Sequence, residues 1–210
     1  MTSAACVLWD WNGTLLDDTD AALAAFNAQL AKRGIPPIGM EFYRSHFAFP
    51  VKPFYALCGI DAEREDWDAI ARDYHESYAA EPKALNREAI AALERVKAAN
   101  ARQCVISALR QDLLDDALER YGVRGYFDFA YGSGDLYGGS KLDRARQLVA
   151  RLGGLDLVMI GDATHDKEVA EALGIRCVLC AQGGHSADRL RAVAPTGDTL
   201  LDAVSLALGR

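Results

Sequence analysis

Five polar residues stand at the ends of apolar segments or at the start of a helical one, where their side chains could bind a metal ion and a substrate. Asp10 ends the apolar run ACVLWD, and Ser107 ends QCVIS. Asp162 follows LDLVMIG, with Asp166 four residues on, and Lys141 opens a helical segment after Gly-Gly-Ser. Carboxylate oxygens suit magnesium, which proteins usually hold with one or two carboxylates, substrate phosphate and water. The acids therefore predict a metal site.

Each of these residues also has a structural interpretation. Asp10 could be a turn residue and Ser107 a helix cap, and both Asp162 and Asp166 could be first-turn acids that suit a helix dipole. However, two tryptophans flank Asp10 and would help to exclude water. The i,i+4 spacing of Asp162 and Asp166 would place both carboxylates on one face of a continuing helix. A lysine in the first turn of a helix is unfavourable unless an anion lies nearby, so Lys141 indicates an anionic partner.

The elements that must position these residues alternate along the chain. Short apolar strands and amphipathic helices in turn predict a parallel sheet covered on both faces. In such a doubly wound α/β fold, ligands bind beyond the carboxyl ends of the strands. Five strands are predicted, at ACVLWD, QCVIS, FDFAYGS, LDLVMIGD and IRCVLCA.

A long helical segment separates the first predicted strand from the second. The distance is roughly 90 residues, far more than one crossover needs. We therefore predict an inserted all-helical cap domain at residues 17–82, and an α/β core domain formed by residues 1–16 and 83–210.

Composition narrows the classes of function. The 210-residue chain has a formal net charge of -7 and no basic block, so nucleic acid is an unexpected partner. Its apolar stretches are interrupted by Asp, Arg or Gly, which predicts no membrane span.

The N-terminus lacks a secretory leader, and five cysteines indicate reduced thiols, so we expect a cytoplasmic protein. Cys177 and Cys180 would point to opposite faces of a strand, which favours packed thiols over a metal or redox pair. Monomer and homodimer both stay open.

Four motifs in this order resemble those of the haloacid dehalogenase-like hydrolase superfamily. They are DWNGTLLDD, VIS, Lys141 and IGDATHD. The similarity covers nearly the whole chain and is greatest to phosphatases like phosphoglycolate phosphatase, which carry a helical cap after the first motif. It implies a Rossmann-like core and a small phosphorylated metabolite as the substrate. Dehalogenation is disfavoured, because it attacks carbon and needs no magnesium, whereas this chain has the Asp162/Asp166 pair.

The resemblance also implies a role for each matching residue. Asp10 would attack phosphorus to give an aspartyl-phosphate. Mg²⁺ would be held by Asp10, Asp162 and the main-chain oxygen of Asn12, with Asp166 in or beside the coordination sphere. Ser107 would bind a phosphoryl oxygen and Lys141 would offset the charge of nucleophile and phosphate. Backbone N–H groups that would bind the phosphate belong to Gly13, Thr14 and Ala108.

Asn12 is the departure from the family's pattern. The phosphatases of the family usually have a second aspartate there, which protonates the leaving oxygen and then activates water. An amide cannot do this, and such acid–base catalysis contributes about 10²–10⁴-fold. Three hypotheses about the function follow: a slow phosphatase, a phosphotransferase, or a phosphate-ligand binding protein. The presence of all the other site residues favours the phosphatase, with His46 or His165 as candidate replacements for the acid. We expect Asn12→Asp to raise turnover, most of all for poor leaving groups.

The inserted segment should determine the choice of substrate by closing over the sheet edge. In YRSHFAFPVKPFY, Arg44 and Lys52 bracket an aromatic stretch and could meet an anionic group of the substrate. The same stretch could equally be an apolar cap core with solvated charges at its rim. Arg110 is expected on the helix surface.

Overall fold

The structure is a computed structural model that describes residues 5–61, 63–134 and 141–209. The glycines and the serine that precede Lys141 lie outside the described residues. In chain order the elements are β1 Cys6–Trp9, β2 Leu16–Asp17, α1 Thr19–Ala31, α2 Met40–His46, α3 Lys52–Leu57, α4 Trp67–Ala80, β3 Ala84–Leu85, α5 Ala89–Ala98, β4 Arg102–Arg110, α6 Gln111–Arg120, a 3-10 turn at Arg124–Tyr126, β5 Phe129–Ser133, α7 Lys141–Leu152, β6 Leu157–Gly161, α8 Thr164–Leu173, β7 Arg176–Cys180, α9 Ala187–Arg191, β8 Thr196–Gly197 and α10 Leu200–Leu208.

The central sheet has the order β5-β4-β1-β6-β7-β8. All five pairings within it are parallel. The predicted α/β fold with a doubly wound parallel sheet is confirmed, and its five predicted strands are present. The short edge strand β8 was not predicted, because two residues carry no periodic pattern.

Strand β1 lies at the centre and is fully buried, which explains its unbroken apolar sequence. Val7 and Trp9 belong to the hydrophobic cluster on one face of the sheet, and Cys6 and Leu8 to the cluster on the other. Trp9 and Trp11 share the first cluster and do not line the cavity described below. Both side chains are fully buried in that cluster, and their expected help in excluding water from Asp10 stays a prediction.

Two local predictions outside the site can be compared with the structure. Cys177 and Cys180 both lie in β7, are reduced, and belong to the clusters on opposite faces of the sheet, as predicted for packed thiols. The stretch TGDTLLDAVSLALGR predicts a last helix capped by Asp198 or Thr199. In the structure helix α10 is capped by Thr199, whose hydroxyl accepts from the N–H of Asp202. Within the part of the chain that is described, no helix combines the length and apolarity needed to cross a bilayer.

The segment between β2 and β3 forms helices α1–α4 with a hydrophobic cluster of their own. Phe26 of α1, Phe54 of α3 and Ile70 of α4 belong to it. Strands β2 and β3 pair antiparallel, so the chain leaves the sheet and returns to it through one short ribbon. The limits of 17–82 for a separate cap domain stay a prediction.

Candidate active site

Three buried carboxyl groups form the centre of the site. One oxygen from each of Asp10, Asp162 and Asp166 lies within 4.8 Å of the other two. The Lys141 ammonium joins two of these acids, at 2.5 Å from Asp10 Oδ1 and 2.6 Å from Asp166 Oδ1. The gathering of these four side chains at one sheet edge, expected from sequence, is present in the structure.

The sheet topology explains why residues so distant in sequence meet. Asp10 follows β1, Asp162 follows the neighbouring β6, and the N–H of Asp10 donates to the carbonyl of Ile160 at 2.8 Å. Lys141 is the first residue of α7. Its burial in a first turn matches the expectation of a nearby anion, because two carboxylates contact it.

Asp162 and Asp166 come together in a different way from the one predicted. Helix α8 begins at Thr164, so Asp162 precedes it and the two acids do not share a helix face. Asp166 Oδ2 instead accepts from the N–H groups of Asp162 and Ala163, at 3.2 and 3.0 Å. Asp166 therefore caps the helix with one oxygen and binds Lys141 with the other, whereas Asp162 is not a first-turn acid. The metal-binding role of both acids stays a prediction.

Glycines allow the acids to pack this closely. A Cβ on Gly13 or on Gly183 would lie 2.2 Å from Asp162 Oδ2, and Gly13 also has a φ of +76°. Asp162 is further held by the Thr14 hydroxyl at 3.2 Å and by the N–H of Gly184 at 2.5 Å. The two glycines after β7 were not recognised in the sequence, although a Gly-Gly pair following a strand was a usable signal.

Burial sets the protonation of the site. It raises the pKa of Asp10 to about 7, although Lys141 opposes the shift, and it raises the pKa of Asp162 well above its usual range. Burial acts to lower the pKa of Lys141, but the charges of Asp10 and Asp166 more than offset this and raise it. If all three carboxyl groups are ionised, one ammonium leaves two negative charges uncompensated, and a bound cation would favour that ionised state. An all-oxygen donor set with this excess fits a divalent cation.

Asn12 is held by a network that sequence reasoning missed. Its Nδ2 donates to Asp18 Oδ2 at 2.7 Å and to the Tyr78 hydroxyl at 3.0 Å, while its Oδ1 accepts from Ser107 Oγ at 3.2 Å. Tyr78 also donates to Asp18 at 2.5 Å. Burial raises the pKa of Asp18, and the hydrogen bonds from Tyr78, Asn12 and Gly13 oppose the shift. The sequence could not predict this network from residue spacing, because Tyr78 lies on α4, 60 residues after Asp18.

The backbone donors expected to bind phosphate have protein partners in this structure. The N–H of Gly13 donates to Asp18 Oδ1 at 2.6 Å, and that of Thr14 donates to the Trp11 carbonyl at 3.4 Å. Ala108 lines the cavity above the acids. The phosphate-binding roles of these N–H groups stay predictions, and those of Gly13 and Thr14 would require an exchange of partners.

The histidines are arranged differently from the prediction. His46 is exposed, bonds the carbonyl of Phe42 and does not line the cavity. His165 lines the cavity and contacts Glu168 at 3.2 Å. The buried His185 was missed; its Nδ1 accepts from the N–H of Thr164, and burial lowers its pKa to about 4.

A cavity of about 640 Å³ lies between the acids and the inserted helices. Lys52 lines it, but Arg44 does not: its Nη2 lies 3.5 Å from the carbonyl of Gln182 instead. Arg110 is at the surface and pairs with Asp112, as expected. The structure thus places Lys52 at the cavity and Arg44 among contacts between the insertion and the core, and a substrate-binding role for either residue stays a prediction.

Comparison with known proteins agrees with this fold. The family profile of haloacid dehalogenase-like hydrolases matches residues 7–180. Phosphoglycolate phosphatase 1 of Pseudomonas aeruginosa is 27% identical over 203 residues, covering 90% of this chain and 74% of that protein. The tyrosine-protein kinase PtkA of Mycobacterium tuberculosis is 28% identical over 188 residues, covering 87% of this chain and 64% of that protein. A haloacid dehalogenase-like hydrolase from Streptococcus pneumoniae has the same fold, with a TM-score of 0.81 at 20% identity over 98% of this chain and 99% of that one.

The chain belongs to the haloacid dehalogenase-like hydrolase family. Within it, the chain is a phosphatase of the kind similar to phosphoglycolate phosphatase. Phosphatases of this family act on small phosphorylated substrates and generally use a divalent metal, for which the acids at the sheet edge are suited.

Proposed function

We propose that the protein is a magnesium-dependent phosphatase that cleaves a phosphomonoester through an aspartyl-phosphate on Asp10. The observation that carries the proposal is the geometry around Asp10: a buried carboxylate at the end of β1, 2.5 Å from an ammonium and grouped with two more acids. A small phosphorylated metabolite of the cytoplasm is the substrate that this function implies.

In this proposal Asp10 is the nucleophile, and the groups around it reduce the cost of bringing it to an anionic phosphate. Magnesium, when bound by Asp10, Asp162 and the carbonyl oxygen of Asn12, supplies positive charge, with Asp166 beside it. Lys141 adds the only buried ammonium near the nucleophile among the described residues, and orients Asp10 through its 2.5 Å hydrogen bond. Positioning and charge neutralisation of this kind account for most catalysis of phosphoryl transfer.

Ser107 and Asn12 have supporting roles in this proposal. Ser107 is buried beside Asn12, and its hydroxyl is a donor that a phosphoryl oxygen could accept in place of Asn12 Oδ1. Asn12 holds Asp18 and Tyr78 with its amide but gives the leaving oxygen no acidic proton. We therefore expect the attack of Asp10 to persist, and the water-dependent second step to be slow.

The test is phosphate release from a panel of phosphomonoesters by the wild type and by Asp10→Asn, with magnesium and with chelator. We expect Asp10→Asn and chelation each to abolish release. Asp116→Asn is the matched control, because Asp116 is an exposed acid on α6 that does not line the cavity. Release that survives both treatments would contradict the proposal. Calorimetric binding of magnesium and phosphate analogues without any release would favour a binding protein instead.

A second candidate, phosphoryl transfer to an acceptor other than water, is supported by Asn12 and by the name of one relative. A long-lived aspartyl-phosphate can pass its phosphoryl group to a hydroxyl, and PtkA is named as a tyrosine-protein kinase. Adding alcohols to the assay distinguishes the two: transfer produces a new phosphate ester at the expense of free phosphate, whereas hydrolysis does not.

A further inference from the structure

The cavity above the acids is walled by aromatic rings from the inserted helices. Tyr43 and Phe47 are stacked at 4.9 Å with an angle of 15°, and Tyr74 and Tyr78 are nearly parallel at 6.2 Å. A volume of about 640 Å³ is in the range of sites for organic ligands, and far exceeds what a two-carbon acid needs. The aromatic lining residues are Phe26, Tyr43, Phe47, Phe49, Tyr55, Trp67, Tyr74 and Tyr78.

The charges of the same wall do not suit an acidic leaving group. Among the described lining residues the only lysines or arginines are Lys52 and Lys141. Lys141 is bound by two carboxylates. Lys52 is half exposed, 3.6 Å from Glu63 and 5.4 Å from the ring of Trp67. A leaving group with its own carboxylate or second phosphate would therefore find no buried cation, and would face the acids of the floor.

Asn12 restricts the leaving group independently of the cavity. Because Asn12 cannot donate a proton as an aspartate would, departure of the leaving oxygen as an anion is favoured, and this is easy only for a weakly basic oxygen. A phenol has a pKa of about 10, as tyrosine does, whereas the pKa of an aliphatic alcohol is much higher and close to that of water. An oxygen attached directly to an aromatic ring can thus leave with its electron pair and take a proton from solvent afterwards.

We propose that the substrate is the phosphate monoester of an aromatic alcohol, with the ester oxygen on the ring and the apolar body in this cavity. The proposal rests on the proposed function and names its substrate class. Asp10 forms a bond to phosphorus as the bond from phosphorus to the aryl oxygen breaks, and the phenolate is protonated by solvent. Water then cleaves the aspartyl-phosphate to inorganic phosphate and restores the Asp10 carboxylate.

Four esters test the two features of the proposal separately, namely the ester oxygen on an aromatic ring and the apolar body in the cavity. They are phenyl, benzyl and 2-naphthyl phosphate, and phosphoglycolate. Phenyl and benzyl phosphate have similar rings, but the benzyl oxygen is aliphatic. We expect kcat/KM to be about 10²-fold higher for phenyl than for benzyl phosphate, because of the missing proton donor. We expect a further rise of about tenfold for 2-naphthyl phosphate, because its second ring fills more of the apolar cavity. Phosphoglycolate should be the poorest substrate.

Tyr74→Ala tests the cavity wall. It should remove the naphthyl advantage and leave the ratio of phenyl to benzyl phosphate unchanged. Tyr131→Ala on β5 is the control, because Tyr131 is a partly exposed tyrosine that does not line the cavity. Trp67→Leu gives the same test if Tyr74→Ala does not fold.

The outcomes separate this inference from the proposed function. Benzyl phosphate or phosphoglycolate cleaved as well as phenyl phosphate would overturn the inference and leave the phosphatase proposal intact. Equal values for phenyl and naphthyl phosphate would overturn the assignment of the cavity. No release from any of the four esters with magnesium present would overturn the inference, and the phosphatase proposal would be rejected as well only if the wider panel also gave no release.

Discussion

The pair formed by Asn12 and Asp18 is the unusual feature at the scale of single residues. The position that carries the acid in related phosphatases holds an amide, and a buried carboxylate lies 2.7 Å from it. A second carboxylate at position 12 would face Asp18 at this distance, and two such groups cannot both be ionised without a large cost. The structure therefore explains why an amide is favoured at position 12 as long as residue 18 is an aspartate.

The sequence-based prediction that Asn12→Asp alone raises turnover stays a prediction, and the contact with Asp18 adds a second substitution to the test. We predict that Asn12→Asp combined with Asp18→Asn raises kcat/KM for benzyl phosphate by about 10²-fold, because it supplies a proton donor and conserves the site's charge. The rise in kcat/KM for phenyl phosphate should be much smaller, because its leaving oxygen needs no proton. Steady-state kinetics on both esters measure the effect.

The two single variants, together with the wild type and the double variant, complete a double-mutant cycle. Asn12→Asp alone should be less stable than the wild type, because its new carboxylate lies against Asp18, and Asp18→Asn alone should not raise kcat. A double variant that folds but shows no gain on benzyl phosphate would mean that the leaving oxygen is protonated by another group.

Gly13 gives a prediction about packing. Gly13→Ala should lower activity at least ~10²-fold, because the new Cβ would displace the Asp162 carboxylate and catalysis is sensitive to shifts of about 1 Å. Gly122→Ala is the control: its φ is +69°, but nothing lies within 4 Å of the added Cβ. It should cost about 1–2 kcal/mol of stability through backbone strain alone and leave activity unchanged. Wild-type activity in Gly13→Ala would show that the acids tolerate the displacement.

At the scale of elements, the strand ends were predictable and the side-chain partners were not. Apolar runs identified β1, β4 and β6, and the polar residue after each run identified Asp10, Ser107 and Asp162. Hydrogen-bond partners were less accessible, because they depend on how loops fold back. Asp166 was placed correctly but for the wrong geometric reason, since α8 begins only after Asp162.

His185 links two elements and gives the protein a pH-dependent stability. It follows β7 and accepts a hydrogen bond from the first residue of α8, a contact that requires a neutral ring. Its folded pKa of about 4 lies below the ordinary value of 6.5, with burial as the main cause and Arg189 adding to it. Between these values the unfolded chain binds a proton that the folded protein does not. Stability from this residue is therefore complete above about pH 6.5 and is lost as the pH falls towards 4.

Urea unfolding at several pH values measures this effect. From pH 7 to pH 4 the free energy of unfolding should fall by about 3 kcal/mol more for the wild type than for His185→Gln. The contributions of the other titrating groups are common to both proteins and cancel in this difference. His46→Gln, at an exposed histidine, should follow the wild type. Parallel curves for wild type and His185→Gln would show that His185 does not stay neutral in the folded protein.

At the scale of the whole molecule, the inserted helices and the sheet form the site together. The sheet supplies the acids, and the insertion supplies the aromatic wall and Tyr78, which reaches Asp18 and Asn12. The existence of an insertion followed from the long distance between the first two predicted strands. How its rings would face the sheet could not be predicted, because the aromatic stretch around Phe47 suits a cavity wall and a cap core equally. In the structure this stretch has both roles, because Phe47 lines the cavity and also packs against the hydrophobic cluster of the insertion.

The measurement that tests the central claim most directly is detection of the phosphorylated enzyme. The protein is mixed with phenyl phosphate and magnesium, quenched in acid, and examined by mass spectrometry for one phosphoryl group. Because Asn12 provides no base for the second step, we predict that the phosphoryl group accumulates on Asp10, and that it is absent with chelator or in Asp10→Asn. A phosphoryl group on any other residue, or substrate turnover without Asp10, would contradict the account.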